Sequence, residues 1–160
     1  MLARWIDDGA EDRFRRVADF DTGRHDQLMA HDWLTDIVVV NENASEPAAG
    51  DVSIFRSEGD ACQWLEHWWV ESGEGFAFTA VGDRVLLEVE SNRRVRAAGR
   101  EPTAGGKEIV LQWLRARAAS VLAARRAKAA RGSAALAPFE ERGELPASVE
   151  GLIAYVGFDG

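Results

Sequence analysis

Cysteine is nearly absent: Cys62 stands alone in 160 residues. One thiol excludes an intramolecular disulfide and a cysteine-based zinc site. Its place in a tryptophan-rich stretch reads as a small buried hydrophobe rather than a nucleophile. Long apolar runs are missing too, and none approaches the roughly 20 residues that span a bilayer. Asp7, Asp8, Glu11 and Asp12 sit where a signal peptide would be basic and then apolar, so the expected compartment is the reducing cytoplasm. No repeat recurs at solenoid periods.

Catalytic signatures are equally scarce. His25-Asp26 and His31-Asp32 repeat a pair that could hold a metal. Their spacing turns the two imidazoles about 240° apart on a helix, so they do not converge. Ala104-Gly105-Gly106-Lys107 resembles a phosphate loop but lacks the earlier glycine and the following Ser or Thr. It reads as a flexible lead-in to a helix. Ser53, Ser57 and Ser72 lie in no nucleophile-elbow pattern. His67 has Glu71 and Glu74 nearby in sequence, but acid–base work needs a partner at hydrogen-bond reach. The expectation is a protein that is not an enzyme and needs no cofactor or metal.

What is present is a lopsided charge. The net charge is −8, yet residues 1–92 carry −13, residues 93–131 carry +9 and residues 132–160 carry −4. An acidic body repels nucleic acid and attracts basic partners. The arginines of the central segment are expected to pair with that body, within the chain or across a homodimer.

The stretch Asp51–Glu90 is the most ordered in pattern. Val52 and Ile54 alternate with Ser53 and Phe55, as in a strand. Ser57 is placed to cap a helix over Ser57–His67, with Asp60 three residues on. Ala61, Trp64, Leu65 and Trp68 predict the stripe that faces a sheet. Phe76–Val81 and Val85–Glu90 alternate around Gly82-Asp83, a hairpin signal. Ile37–Val40 is a β-branched run and predicts a buried strand.

Upstream, helices are expected over about Gly9–Asp19 and His25–Leu34, with a polar loop over Asn41–Gly50. Downstream, Ser91–Gly106 reads as a basic connection. A long helix then starts near Gly106, with Thr103 as its cap. Val110, Leu111, Leu114, Ala118, Val121 and Leu122 share a stripe that fails beyond Ala124. Ala137–Pro146 reads as a loop and Leu152–Phe158 as a final edge strand.

These elements predict one α+β domain: a small antiparallel sheet covered by helices. Residues 1–45 form a helical extension, 51–124 the core, and 125–135 a projecting basic helix end. Trp69 points about 100° from Trp68 on a helix and can stay exposed. With Glu71, Glu74, Glu88 and Glu90 it makes the candidate partner-binding patch, an aromatic anchor within a polar rim.

One resemblance extends this reading. Phe55, Ser57, Asp60, Ala61, Leu65, Glu66, Trp69–Glu71, Glu74–Phe78 and Gly82–Leu87 together resemble small bacterial immunity proteins of polymorphic toxin systems. The resemblance covers about residues 51–90. It implies a cytoplasmic inhibitor that covers the active site of a cognate toxin. The alternative is an oligomeric regulatory or adaptor protein that uses the basic 107–131 helix for dimerisation or nucleic-acid binding.

Overall fold

Val38–Asn41 (β1) are four residues without a solvated side: each is 1% exposed or less. Alternate side chains of a strand point to opposite faces, so both faces of the sheet must be covered. A computed structural model describes residues 32–43 and 52–159. The expected helix over Gly9–Asp19, most of that over His25–Leu34, both early histidines and the 44–50 loop lie outside the described residues. The described part of the second helix is α1 (Asp32–Asp36).

Five strands form one antiparallel sheet in the order β2-β1-β3-β4-β5. They are β2 (Val52–Phe55), β3 (Phe76–Thr79), β4 (Asp83–Val89) and β5 (Val95–Pro102) around β1. The fold is therefore α+β, as expected. On one face Val38, Val40, Phe55, Ala77, Val85 and Val95 pack against α2 (Glu58–Trp64) and α3 (His67–Ser72). On the other, Val39, Val52, Ile54 and Phe78 meet α4 (Gly106–Ala130) and α6 (Val149–Val156). Trp113 of α4, absent from the expected stripe, stands edge-on to Phe78 at 5.4 Å between ring centres.

Five sequence readings are corrected. The expected helix Ser57–His67 is two helices, because Leu65 and Glu66 are extended between them. Ser57 does cap α2, its Oγ accepting from the Asp60 N–H at 3.1 Å. The expected connection Ser91–Gly106 contains β5, whose alternation is hidden because only Val95 is buried and the bulge at Ala98 shifts the register. The Ala137–Pro146 loop contains the short helix α5 (Pro138–Arg142). The expected strand Leu152–Phe158 is helix α6: Ser148 caps it through the Gly151 N–H, and Val149, Leu152 and Ile153 follow at helical spacing. Thr103 caps no helix with its side chain, which donates to the Glu101 carbonyl instead.

The lead-in to α4 is sealed rather than flexible. A Cβ on Gly106 would stand 2.0 Å from the Gly82 carbonyl oxygen, so the β3–β4 turn and the helix start touch backbone to backbone. Gly106 donates its N–H to the Thr103 carbonyl, which leaves that amide no role at a phosphate.

The basic end of α4 is anchored at Arg125 and Arg126 instead of projecting from that point. Glu140 is fully buried, and its carboxylate accepts from Arg125 at 2.9 Å, the Tyr155 hydroxyl at 2.8 Å and the Ala137 N–H at 2.8 Å. Arg126 donates to the Glu140 and Glu141 carbonyls. Elsewhere Asp159 closes the open side of β2, donating its N–H to the Ile54 carbonyl and accepting from the Ile54 N–H. A covered edge does not recruit other strands.

Glu140→Ala removes a buried partner from a cation and a hydroxyl. It is expected to lower unfolding free energy by about 3 kcal/mol, measured by urea denaturation; a loss under about 1 kcal/mol would show that the network is not what holds the helix end. Tyr155 is the single tyrosine. Burial, and then its hydrogen bond to Glu140, raise its pKa above the ordinary value. The folded state thus keeps the phenolic proton longer than the unfolded chain does. Its contribution is complete below about pH 10 and is lost as pH rises from there through the folded-state pKa. Tyr155→Phe is expected to flatten this alkaline loss in stability-versus-pH curves.

Candidate partner-binding cleft

The α3 helix ends abruptly. Gly73 takes a left-handed conformation, with φ of 67°, and returns its N–H to Val70. Ser72 tightens the turn: its hydroxyl donates to the Trp69 carbonyl at 2.8 Å and accepts from the Glu74 N–H. Gly75 must be glycine, since a Cβ there would lie 1.8 Å from the Trp69 ring. The indole therefore lies flush against backbone and donates its Nε1–H to the Glu42 carbonyl at 3.2 Å.

This corrects the sequence reading of the tryptophans. Trp69 is 7% exposed, whereas Trp68 is 60% and Trp64 49% exposed. Leu65 and Glu66 are extended between α2 and α3, and Ala61, Leu65 and Trp69, four residues apart, are the ones that point inward. Trp64 keeps one side against Phe55, at 5.4 Å between ring centres. Trp69 is not an exposed anchor; the exposed indole of α3 is Trp68, which the sequence assigned to the core.

Between the chain that leaves α3 and strand β4 lies a cleft of about 330 Å³, with Trp69, Val70, Phe76, Leu86, Leu87 and Glu88 among its walls. Arg84 lies over the Phe76 ring at 4.7 Å. Two of the five candidate residues, Trp69 and Glu88, thus line one cleft, Trp69 as inner wall. Glu71 and Glu74 belong to the segment that borders it, both exposed. Among the described residues neither forms an ion pair. Glu88 and Glu90 are different: Arg96 pairs with Glu88 at 2.6 Å and stands 3.8 Å from Glu90. Unpaired negative charge therefore gathers at Glu71 and Glu74 rather than evenly over the four.

Other chemistry finds little support nearby. A second cleft of about 360 Å³ is lined by Arg56, Asp60, Gln63, Trp64 and Asp159. His67 lines neither cleft. Cys62 is half-buried, and burial, then the charge of Glu58, raise its thiol pKa; a thiol so shifted is a poor nucleophile at neutral pH. Among the described residues no His, Cys, Asp and Glu group could hold a metal, and no helix is long and apolar enough to cross a membrane. Comparison with known proteins matches no family model, no curated protein and no solved structure.

The two adjacent tryptophans separate structure from binding. Trp69→Ala is expected to cost about 3–5 kcal/mol, and Trp68→Ala to stay within about 0.5 kcal/mol of the parent. Thermal and urea unfolding of both variants check this. Equal losses would mean that Trp68 is packed as deeply as Trp69.

Proposed function

We propose that this chain is a non-catalytic protein-binding inhibitor, and specifically a cytoplasmic immunity protein that neutralises a cognate bacterial toxin by covering its active site. The observation that carries this reading is the outer side of α3. Trp68, 60% exposed, precedes Glu71 by three residues, which puts both on one helical face. An exposed indole beside carboxylates that form no ion pair among the described residues has the makeup of an interface hot spot with a polar rim.

Charge supports the same reading. A chain of net charge −8 approaches a basic surface quickly, since complementary fields raise the encounter rate. A toxin that cuts or modifies nucleic acid needs such a surface, and an acidic inhibitor can occupy it. The rival reading, an oligomeric regulator that binds through the 107–131 helix, has less to draw on. Arg117 lies 3.5 Å from Asp159, Arg125 pairs with Glu140, and Arg126 is bonded to two carbonyls.

The test begins with affinity capture of the tagged chain from its own cells, followed by reconstitution with whatever co-purifies in fixed ratio. A basic partner whose enzymatic activity falls on stoichiometric addition of this chain supports the proposal. Recovery of nucleic acid, or of the chain alone as an oligomer, favours the regulator. With the purified partner, Glu71→Lys combined with Glu74→Lys is expected to slow association about tenfold at low salt, with a smaller effect at high salt. Unchanged association by a folded double variant would place the interface elsewhere.

A further inference from the structure

The cleft beside α3 exposes backbone as well as side chains. Strand β4 pairs with β5 along its whole length, from Asp83 to Val89. On its other side the β3 ladder stops at Ala77 opposite Val85. Leu86–Val89 thus run on with no strand beside them on that side among the described residues.

The direction of the free groups follows from alternation. In an antiparallel ladder, successive residues point their N–H and C=O to opposite sides. Glu90 donates its N–H to the Arg94 carbonyl across the β4–β5 turn at 2.9 Å. Glu90 and Glu88 therefore direct their backbone groups toward β5. Val89, Leu87 and Val85 direct theirs the other way, and Val85 meets Ala77 there. The bulge leaves this phase intact, because its extra residue, Ala98, belongs to β5. No backbone bond joins Leu87 or Val89 to the 73–75 segment. Two N–H and two C=O groups, spaced as in a strand, are consequently left without a β3 partner: those of Leu87, which lines the cleft, and those of Val89, the next such residue along β4 beyond the cleft's walls.

We propose that this cleft takes a short, extended, basic segment of a protein partner as an added strand against Leu87 and Val89. The claim rests on the protein-binding reading above and specifies its mode. Main-chain pairing would supply affinity, and alternate side chains would supply selectivity. Inward residues meet an apolar floor of Trp69, Val70 and Leu87. The surrounding charge favours Lys or Arg at the outward positions, because Glu71 and Glu74 border the cleft and form no ion pair among the described residues.

The segment's chemistry can be tested without the partner. The probe is an acetylated and amidated heptapeptide of alternating lysine and valine, added to the full-length isotope-labelled chain. Amide hydrogen exchange is read residue by residue. In the free protein, Leu87 and Val89 are expected to exchange faster than Glu88, whose N–H is directed at β5. With excess probe, exchange at Leu87 and Val89 is expected to slow at least tenfold. The same peptide N-methylated at alternate residues, or with glutamate in place of lysine, should leave both rates unchanged.

Absence of slowing at Leu87 and Val89 at millimolar probe overturns the proposal, as does slowing confined to the outer side of β5. Equal slowing by the glutamate peptide overturns its charge component. Exchange with the captured partner separates the two readings. If the partner is inhibited yet protects other amides, strand addition falls while the inhibitor reading stands. If the peptide adds but no partner is inhibited, strand addition stands and the inhibitor reading falls.

Discussion

Burial of β1 on both faces is the constraint from which the rest follows. Val38 and Val40 look toward α2 and α3, and Val39 looks toward α4 and α6. A strand of this kind tolerates neither a missing helix layer nor a one-residue slip, which would send every side chain to the opposite face. It also fixes the neighbours. β2 and β3 pair with it on either side, residue for residue from Val38 to Asn41. The chain between β2 and β3 must then cross one face of the sheet, and α2 and α3 are that crossing. The cleft arises because α3 ends before β3 begins and β4 runs on beyond Val85 without a β3 partner.

Charge divides the labour differently from the way it is distributed along the chain. The basic middle segment looks like a separate polycationic element, but several of its arginines are paired at the surface of the fold. Arg100 bonds Glu58 at 2.6 Å and the Thr35 carbonyl at 2.9 Å, and so ties β5 to α2 and α1. Arg96 takes up Glu88, and Arg125 takes up Glu140. Surface pairs of this kind add little stability singly. Their larger effect is on where free charge remains. Arg96, Arg100, Arg117 and Arg125 are held by carboxylates of the fold, while Glu71 and Glu74 form no ion pair among the described residues.

Local pattern was most legible where periodicity and a capping or turn residue agreed. Val52–Phe55, the Gly82 turn and the Ser57 cap are all in place. It failed where one signal stood alone. Leu152–Phe158 is apolar without interruption, and such a run suits a strand or a helix equally; the Ser148 cap just outside it carried the answer. Val95–Pro102 contains Gly99 and Pro102 and buries little, so an edge strand there looked like a loop. The candidate patch was legible only in part. Glu71 and Glu74 are exposed as expected, but the neighbouring tryptophans were exchanged, and nothing in the identity of Leu65 or Glu66 announces the break between α2 and α3.

The sequence by itself determined the fold class, the alternation of the hairpin strands, the burial of the Ile37–Val40 run and the acidic character of the body. All of these are properties of composition or of spacing within a few residues. Tertiary structure decided which indole is exposed, which arginines are neutralised and where the sheet has an open side. Each of those depends on contacts between residues far apart in the chain, such as Trp69 with Glu42 or Arg125 with Glu140. Periodicity ranks the faces of one element, but only the packing of a second element against it settles which face is covered.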